Sequence, residues 1–207
     1  MRILIAIPTP REVEPECLKS IYGLDKCGHE VLLDIVYGYE IDAERNCITQ
    51  SAINGGYDYV LMVDSDVVLP SDALRNLLDP QADIVLGQYR ERKRINDLAQ
   101  KYTCLYRFGK TINFELEDGI SVEEFNSMRE QGLNRIEIHG GGCGCILIST
   151  EVFKKMEMPY FHYTVYPNGD VLSEDLYFCL EAQKVGFKVY ADTRVQCGHI
   201  LKQTYWC

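Results

Sequence analysis

Apolar residues occur along the chain in short runs separated by segments of helical spacing. Arg2 to Thr9 predicts a first strand, and Ile3 to Ile7 is wholly apolar, the pattern of a parallel strand covered on both faces. Pro8-Thr9-Pro10-Arg11 closes it as a loop. Glu14-Pro15-Glu16 opens a helix whose buried stripe is Cys17, Leu18, Ile21 and Leu24. Val31 to Val36 predicts a second strand, and Ile41 to Asn54 a helix with Cys47, Ile48, Ser51 and Ala52 turned inward, ended by Gly55-Gly56. Tyr59 to Val63, β-branched and aromatic, predicts a third strand. Strand and helix in this alternation imply right-handed crossovers and a parallel sheet, with the loops Pro8-Thr9, Arg45-Asn46 and Asp64-Ser65-Asp66 gathered along one edge.

The pattern continues with a helix from Pro70 to Leu78 and a strand from Asp83 to Gly87. Tyr102 to Phe108 and Lys110 to Glu117, parted by Gly109, predict a hairpin, and Ser121 to Glu130 a short surface helix. Arg135 to His139 predicts a strand that runs into Gly140-Gly141-Gly142-Cys143-Gly144. Cys145 to Ile148 predicts the next, and Ser149-Thr150 opens a helix through Met156. Ser173-Glu174-Asp175 opens another, with Phe178, Cys179, Ala182 and Val185 along a stripe shared with Asp175 and Gly186 as its cap. Phe187 to Tyr190 predicts a strand, Asp192-Thr193 a turn, and Arg194 to Cys197 leads to Gly198-His199.

Composition narrows the class. A chain of 207 residues, 46% hydrophobic, predicts one α/β domain over 1–207. A net charge of -10 argues against a polyanion such as nucleic acid as partner. Nine cysteines, odd in number and scattered, predict reduced thiols rather than a disulfide framework, and Cys143-Gly144-Cys145 lacks a second pair at zinc-site spacing. The apolar run to Ile7 is stopped by Pro8, too short for a leader or a membrane span, so a cytoplasmic protein is expected.

The chemistry centres on Asp64 and Asp66, two carboxylates delivered by an apolar run at a strand's C-terminal end, where open α/β sheets bind ligands. They repel unless a proton or cation is near, and a hard divalent metal carrying phosphate oxygens satisfies them; a turn followed by a helix cap gives the same sequence without function. Arg90, Arg92, Lys93 and Arg94 form a basic cluster suited to a phosphate or to a solvated loop. The glycines of 140–144 permit close backbone approach beside a ligand, or a bulge. Tyr160, Phe161, His162, Tyr163 and Tyr166 suit a wall over a sugar, or a buried loop. Glu174 and Asp175 are favoured at a helix start by the dipole alone, and His199 either completes a metal site or caps hydrogen bonds.

Taken in order, Ile7-Pro8-Thr9, Ala43-Glu44-Arg45-Asn46, Asp64-Ser65-Asp66, the glycine-rich turn before Cys145-Ile-Leu-Ile-Ser, Ser173-Glu174-Asp175-Leu176 and Gly198-His199 resemble the GT-A glycosyltransferases, in particular the family-2-like group using nucleotide-sugar donors. The resemblance spans nearly the whole chain and implies a single-domain, Rossmann-like GT-A fold with a mostly parallel mixed central sheet, residues 1–100 forming its nucleotide-sugar-binding half and 101–207 its acceptor-binding half. It implies that Pro8, Thr9, Arg45, Asn46, Asp64 and Ser65 lie along the nucleotide, UDP being the commonest in the group. It implies that Asp66 and His199, with Asp64 nearby, hold Mn2+ or Mg2+, which acts as a Lewis acid on the leaving diphosphate. Gly141, Gly142 and Cys143 would form a donor/acceptor loop. Asp175 would be the general base of an inverting transfer to an acceptor hydroxyl, with Glu174 holding that hydroxyl or exchanging roles with it. Two features depart from the group's pattern: Val36-Tyr37-Gly38-Tyr39 stands where an acidic residue often follows strand two, and the short C-terminal part implies a small or partner-presented acceptor.

Rival readings share some of these residues. Asp64-Ser65-Asp66 also fits the nucleophile and acid of a haloacid-dehalogenase-type phosphatase, with Ser149 as its second motif, Lys154 or Lys155 as its lysine and Asp170 through Asp175 as its metal motif. Two strand-helix units before Asp64, and Pro167 breaking the run before Asp170, weigh against it. A nucleotidyltransferase lacks its glycine-rich triphosphate cradle after strand one. A non-catalytic nucleotide-sugar-binding module completes the set.

Overall fold

The structure is a computed structural model, described here over residues 1–79, 81–90, 101–107 and 119–201. The first half runs β1 (Arg2–Thr9), α1 (Pro15–Tyr22), β2 (Glu30–Tyr37), α2 (Ile41–Asn54), β3 (Tyr59–Val63), β4 (Val67–Val68), α3 (Ala73–Leu77) and β5 (Ile84–Gln88). Then come β6 (Tyr102–Tyr106), β7 (Gly119–Ser121), α4 (Val122–Glu130), β8 (Arg135–Ile138), β9 (Gly140–Gly141), β10 (Cys145–Ser149) and α5 (Thr150–Lys155). Last are β11 (Thr164–Val165), β12 (Val171–Leu172), α6 (Glu174–Lys184), β13 (Val189–Gln196) and β14 (Gly198–His199). Arg92, Lys93 and Arg94 of the basic cluster, and Lys110 to Glu117 of the expected hairpin, lie outside the described residues.

One seven-stranded sheet, in the order β2-β1-β3-β10-β5-β13-β8, carries the core. β2, β1, β3, β5 and β13 share a direction, while β10 and β8 run against their neighbours. The sheet is thus α/β and mostly parallel but mixed. β10, from the second half of the sequence, is inserted between β3 and β5, so the halves 1–100 and 101–207 interleave in one sheet. Ile3 to Ile7, Val60 to Val63, Ile84 to Leu86 and Cys145 to Ile148 are all buried, as apolar runs covered on both faces must be. Among the described residues, no helix is long and apolar enough to cross a membrane.

Several expectations need correction. In α2, Cys47 and Ser51 are exposed; the buried face is Glu44, Arg45, Ile48, Thr49 and Ala52. A charged residue decides the rotation, because Arg45 finds its counter-charges inside the protein. The helix from Pro70 contracts to Ala73–Leu77, and the residues before it form β4, which pairs with β14. Asp192 and Thr193 are not a turn but belong to β13, within a stretch where its register against β5 shifts. Buried Asp192 is held there by Arg135 and Arg194, at 2.9 and 2.6 Å. Val185 lies on the exposed side of its helix. The strand of Tyr102–Tyr106 pairs with Gly119–Ser121 and with the glycines Gly140–Gly141.

Candidate active site

The C-terminal ends of β1 and β3, the start of α6, the glycine loop and β14 converge on one cavity of about 570 Å3. Its lining includes Pro8, Pro10, Arg45, Asp64, Ser65, Asp66, Tyr89, Tyr106, Gly142, Tyr163, Glu174, Asp175 and His199.

Arg45 organises the interior wall. Its side chain is only 2% exposed, yet it is charged, so it requires anionic partners. Nη2 donates to Asp64 Oδ1 at 3.0 Å and Nη1 to the Cys143 carbonyl at 3.1 Å. Glu174 lies 3.7 Å from Nε and Asp175 3.4 Å from Nη2. Burial favours the neutral guanidine, but Asp175, Asp64 and Glu174 outweigh it and hold Arg45 firmly charged. One cation therefore faces three carboxylates, and the surplus negative charge falls on Asp175. Burial first, then Glu174 and Asp64, push its carboxyl up to about 7 against the pull of Arg45 and of the Cys143 N–H. Asp175 Oδ1 accepts no hydrogen bond within the described residues.

The helix carrying these acids is fixed by aromatic packing. Phe178 stacks on Phe161 with ring centroids 4.8 Å apart, and Phe161 in turn faces the Arg45 guanidinium. Tyr163 hydrogen-bonds Glu174 across the cavity mouth, and burial together with that carboxylate raises its phenol.

The glycine loop makes room for Asp64. Asp64 N–H donates to the Gly144 carbonyl, and Gly144 N–H donates to the Tyr89 hydroxyl, both at 3.0 Å. A Cβ on Gly144 would stand 2.6 Å from Asp64 Oδ2 and 2.8 Å from the Tyr89 ring, so only glycine fits.

Asp66 meets His199 through a two-residue ladder. β4 and β14 pair Val67 with His199, and Ile200 N–H donates to the Asp66 carbonyl at 2.9 Å. His199 Nε2 then lies 3.5 Å from Asp66 Oδ1. Its Nδ1 stands 2.6 Å from the Arg90 carbonyl, which can only accept, so Nδ1 carries a proton and Nε2 is the nitrogen turned towards Asp66. An imidazole anchored by its far N–H to a carbonyl is the arrangement of a metal-ligating histidine. The 3.5 Å separation is close to the spacing of about 3 Å between adjacent donors of an octahedral ion. The pair fits a hard divalent cation that draws its other oxygens from a ligand; among the described residues no group of three or more such side chains is placed to hold an ion alone.

Other sequence candidates are placed differently. Thr9 is buried and its hydroxyl donates to the Glu12 carbonyl at 2.8 Å, so Pro8 and Pro10 line the cavity instead. Asn46 clamps the segment after Pro159, accepting from Tyr160 and Phe161 N–H and donating to the Phe161 carbonyl. Gly141 is buried in β9, and Cys143 contributes backbone groups rather than its thiol, which burial pushes up. Tyr89, Tyr106 and Pro10 were not singled out by sequence. Tyr89 carries a usable signal, since it directly follows β5 just as Asp64 follows β3. Of the phosphatase residues, Asp64, Asp66 and Asp175 share the cavity, but Ser149 pairs with Tyr59 at the opposite end of β3 and caps α5, and Lys154 is exposed against Glu151.

No known family pattern matches the chain, and no curated protein matches it by sequence. Solved structures do. A197 from STIV superposes with a TM-score of 0.61 at 20% identity, covering 98% of this chain and 87% of that one. GalNAc-T7, crystallised with UDP, GalNAc and Mn2+, gives 0.62 at 10% identity over 97% of this chain, which spans 44% of its length. A Drosophila β1,4-galactosyltransferase 7 variant in complex with manganese, UDP-Gal and xylobiose gives 0.54 at 16% identity over 97% of this chain and 71% of that one. The fold is therefore that of the GT-A glycosyltransferases.

Proposed function

We propose that this protein is a metal-dependent glycosyltransferase that moves a hexosyl-type sugar from a nucleotide-diphosphate sugar, UDP-linked by preference, to an acceptor hydroxyl with inversion, as in the family-2-like group. The observation that carries the reading is the meeting of Asp64, Asp66, His199, Glu174 and Asp175 on one cavity at the C-terminal edge of a GT-A sheet. The UDP and manganese bound to the structurally similar GalNAc-T7 and galactosyltransferase support the donor class.

In this reading Pro8, Pro10, Ser65 and Asp64 flank the nucleotide, and Asp66 and His199 hold Mn2+ or Mg2+. When bound, the metal supplies Lewis-acid stabilisation of the diphosphate leaving group. Asp175 takes the proton from the acceptor oxygen as that oxygen bonds to the anomeric carbon, on the face opposite the departing diphosphate. A carboxyl that titrates near 7 suits this task, since it is ionised enough to act yet basic enough to receive a proton. Glu174, tied to Arg45 and Tyr163, holds the wall of the acceptor side. Cys143 answers both ends of the site, its carbonyl accepting from Arg45 and its N–H donating to Asp175. Nine scattered cysteines, odd in number, support a reducing, cytoplasmic setting.

Calorimetry of UDP and GDP with manganese, magnesium or EDTA, followed by UDP-sugar turnover with Asp175→Asn, tests the reading. Metal-dependent binding of one nucleotide that the variant keeps while losing turnover is expected. Turnover equal to wild type in Asp175→Asn would remove Asp175 as base. Metal-dependent binding with no turnover of any sugar in either protein would leave a binding module.

A further inference from the structure

A second cavity, of about 550 Å3, shares His199 with the first and, among the described residues, carries none of its carboxylates. Its volume is that of a small-molecule site. Three carboxamides reach it from separate elements: Gln88 at the end of β5, Gln196 at the end of β13 and Asn126 from α4. Gln88 and Gln196 are register partners on neighbouring parallel strands, so their side chains stand on one face of the sheet. Gly87 and Val195 meet on the other, where a Cβ on Gly87 would stand 2.7 Å from Val195 Cγ1. Asn126 Oδ1 accepts from Gln196 Nε2 at 3.0 Å, which joins the helix to the sheet over the cavity. Gln88 is only 7% exposed, yet its carboxamide makes no hydrogen bond among the described residues. A buried amide without a partner costs about 1–3 kcal/mol, and this one borders the cavity, from which a partner can come.

We propose that this second cavity is a binding site for a neutral saccharide. The bond between Gln196 and Asn126 leaves Gln196 Oε1 as an acceptor beside Asn126 Nδ2 as a donor. A sugar hydroxyl donates and accepts, so it satisfies both groups together. A fully ionised phosphate only accepts and is repelled by Oε1. An ammonium only donates, and no carboxylate lines the cavity among the described residues to attract it. Arg90 is exposed, so water screens its charge, and its carbonyl is taken by His199 Nδ1. Val122 and Leu201 add apolar surface for the CH groups of a sugar ring. The site stands apart from the glycosyltransferase reading, since it requires neither metal nor nucleotide. Its border on His199 nonetheless sets a bound sugar next to the candidate metal centre.

Saturation-transfer NMR with the methyl glycosides of glucose, galactose, mannose and N-acetylglucosamine, titrated in EDTA without nucleotide, tests the proposal. At least one glycoside should show transfer. Gln196→Leu and Asn126→Leu should each weaken its affinity about tenfold, as loss of one or two neutral hydrogen bonds implies. Val122→Trp, which fills the cavity from α4 and leaves the carboxamides in place, should abolish binding. Melting curves identify any variant that fails to fold, and the remaining ones decide. Asp175→Asn, in the first cavity, should bind the sugar as wild type does. Transfer from no glycoside overturns the proposal, even where UDP still binds with manganese and the glycosyltransferase reading stands. Loss of sugar binding in Asp175→Asn would place the sugar in the first cavity and overturn it too. So would glycoside affinity equal to wild type in the folded variants, or perturbation of the Gln88 and Gln196 side-chain amides by inorganic phosphate but by no glycoside.

Discussion

Arg45 Nη2 stands 3.4 Å from Asp175 Oδ1, within ion-pair range, while that oxygen accepts no hydrogen bond among the described residues. Besides the Cys143 N–H, the candidate base is therefore held by charge, and its basicity depends on how Arg45 is shared with Asp64 and Glu174. Replacing Arg45 by methionine leaves three carboxylates around an apolar group. Breaking a buried ion pair on one side costs about 3–5 kcal/mol, so urea or thermal unfolding should show a loss of that order. Stability equal to wild type would show that the cluster is not held by Arg45.

The pH dependence of stability has a defined sign. Asp175 binds its proton more tightly when folded, with its pKa raised from 3.8 to about 7, so the stability this confers is full below 3.8 and lost as pH rises through about 7. Asp175→Asn should therefore be more stable than wild type above about pH 7, in metal-free buffer, and the gap should close on acidification. Turnover should move the opposite way, rising with pH through the same range as the base ionises. Melting curves across pH for both proteins check the first statement, and a pH–rate profile checks the second.

Asp66→Ala and His199→Ala should each weaken manganese-dependent nucleotide binding. Groups that only orient metal ligands are worth about 10–100-fold, and direct donors should lose at least that. Calorimetry with and without EDTA reads the effect; variants that bind as wild type does under both conditions would place the metal elsewhere.

Gly144→Ala puts a methyl group 2.6 Å from Asp64 Oδ2 and 2.8 Å from Tyr89. Overpacking of this kind costs about 1–3 kcal/mol, and the carboxylate must move. Loss of nucleotide affinity larger than the loss of stability is the expected pattern, measured by calorimetry beside thermal unfolding.

Tyr89→Phe removes the acceptor for Gly144 N–H, which sits buried. An unsatisfied buried donor costs about 1–3 kcal/mol. A lowered melting temperature, together with faster exchange of the Gly144 amide, would report it. An unchanged amide would mean that another acceptor serves.

The elements themselves were legible in the chain. Ile41–Asn54 and Tyr59–Val63 fall where the apolar periodicity places them, because a strand or helix that must bury one face writes that requirement locally. The ends of β1 and β3, and hence the placement of Pro8, Asp64 and Asp66 at one edge of the sheet, follow from the order of strand and helix. Which way α2 turns did not follow. Its inward residue Arg45 reads as polar, and only the arrival of Asp64 from β3 and of Glu174 and Asp175 from α6 makes its burial tolerable. Likewise β10, remote in sequence, runs antiparallel between β3 and β5, and the two-residue pairing of β4 with β14 alone sets His199 beside Asp66. Local sequence thus determined where each segment bends and which face prefers water. Tertiary structure decided which charges neutralise one another, since that balance is struck between groups far apart in the chain and exists only once water is excluded.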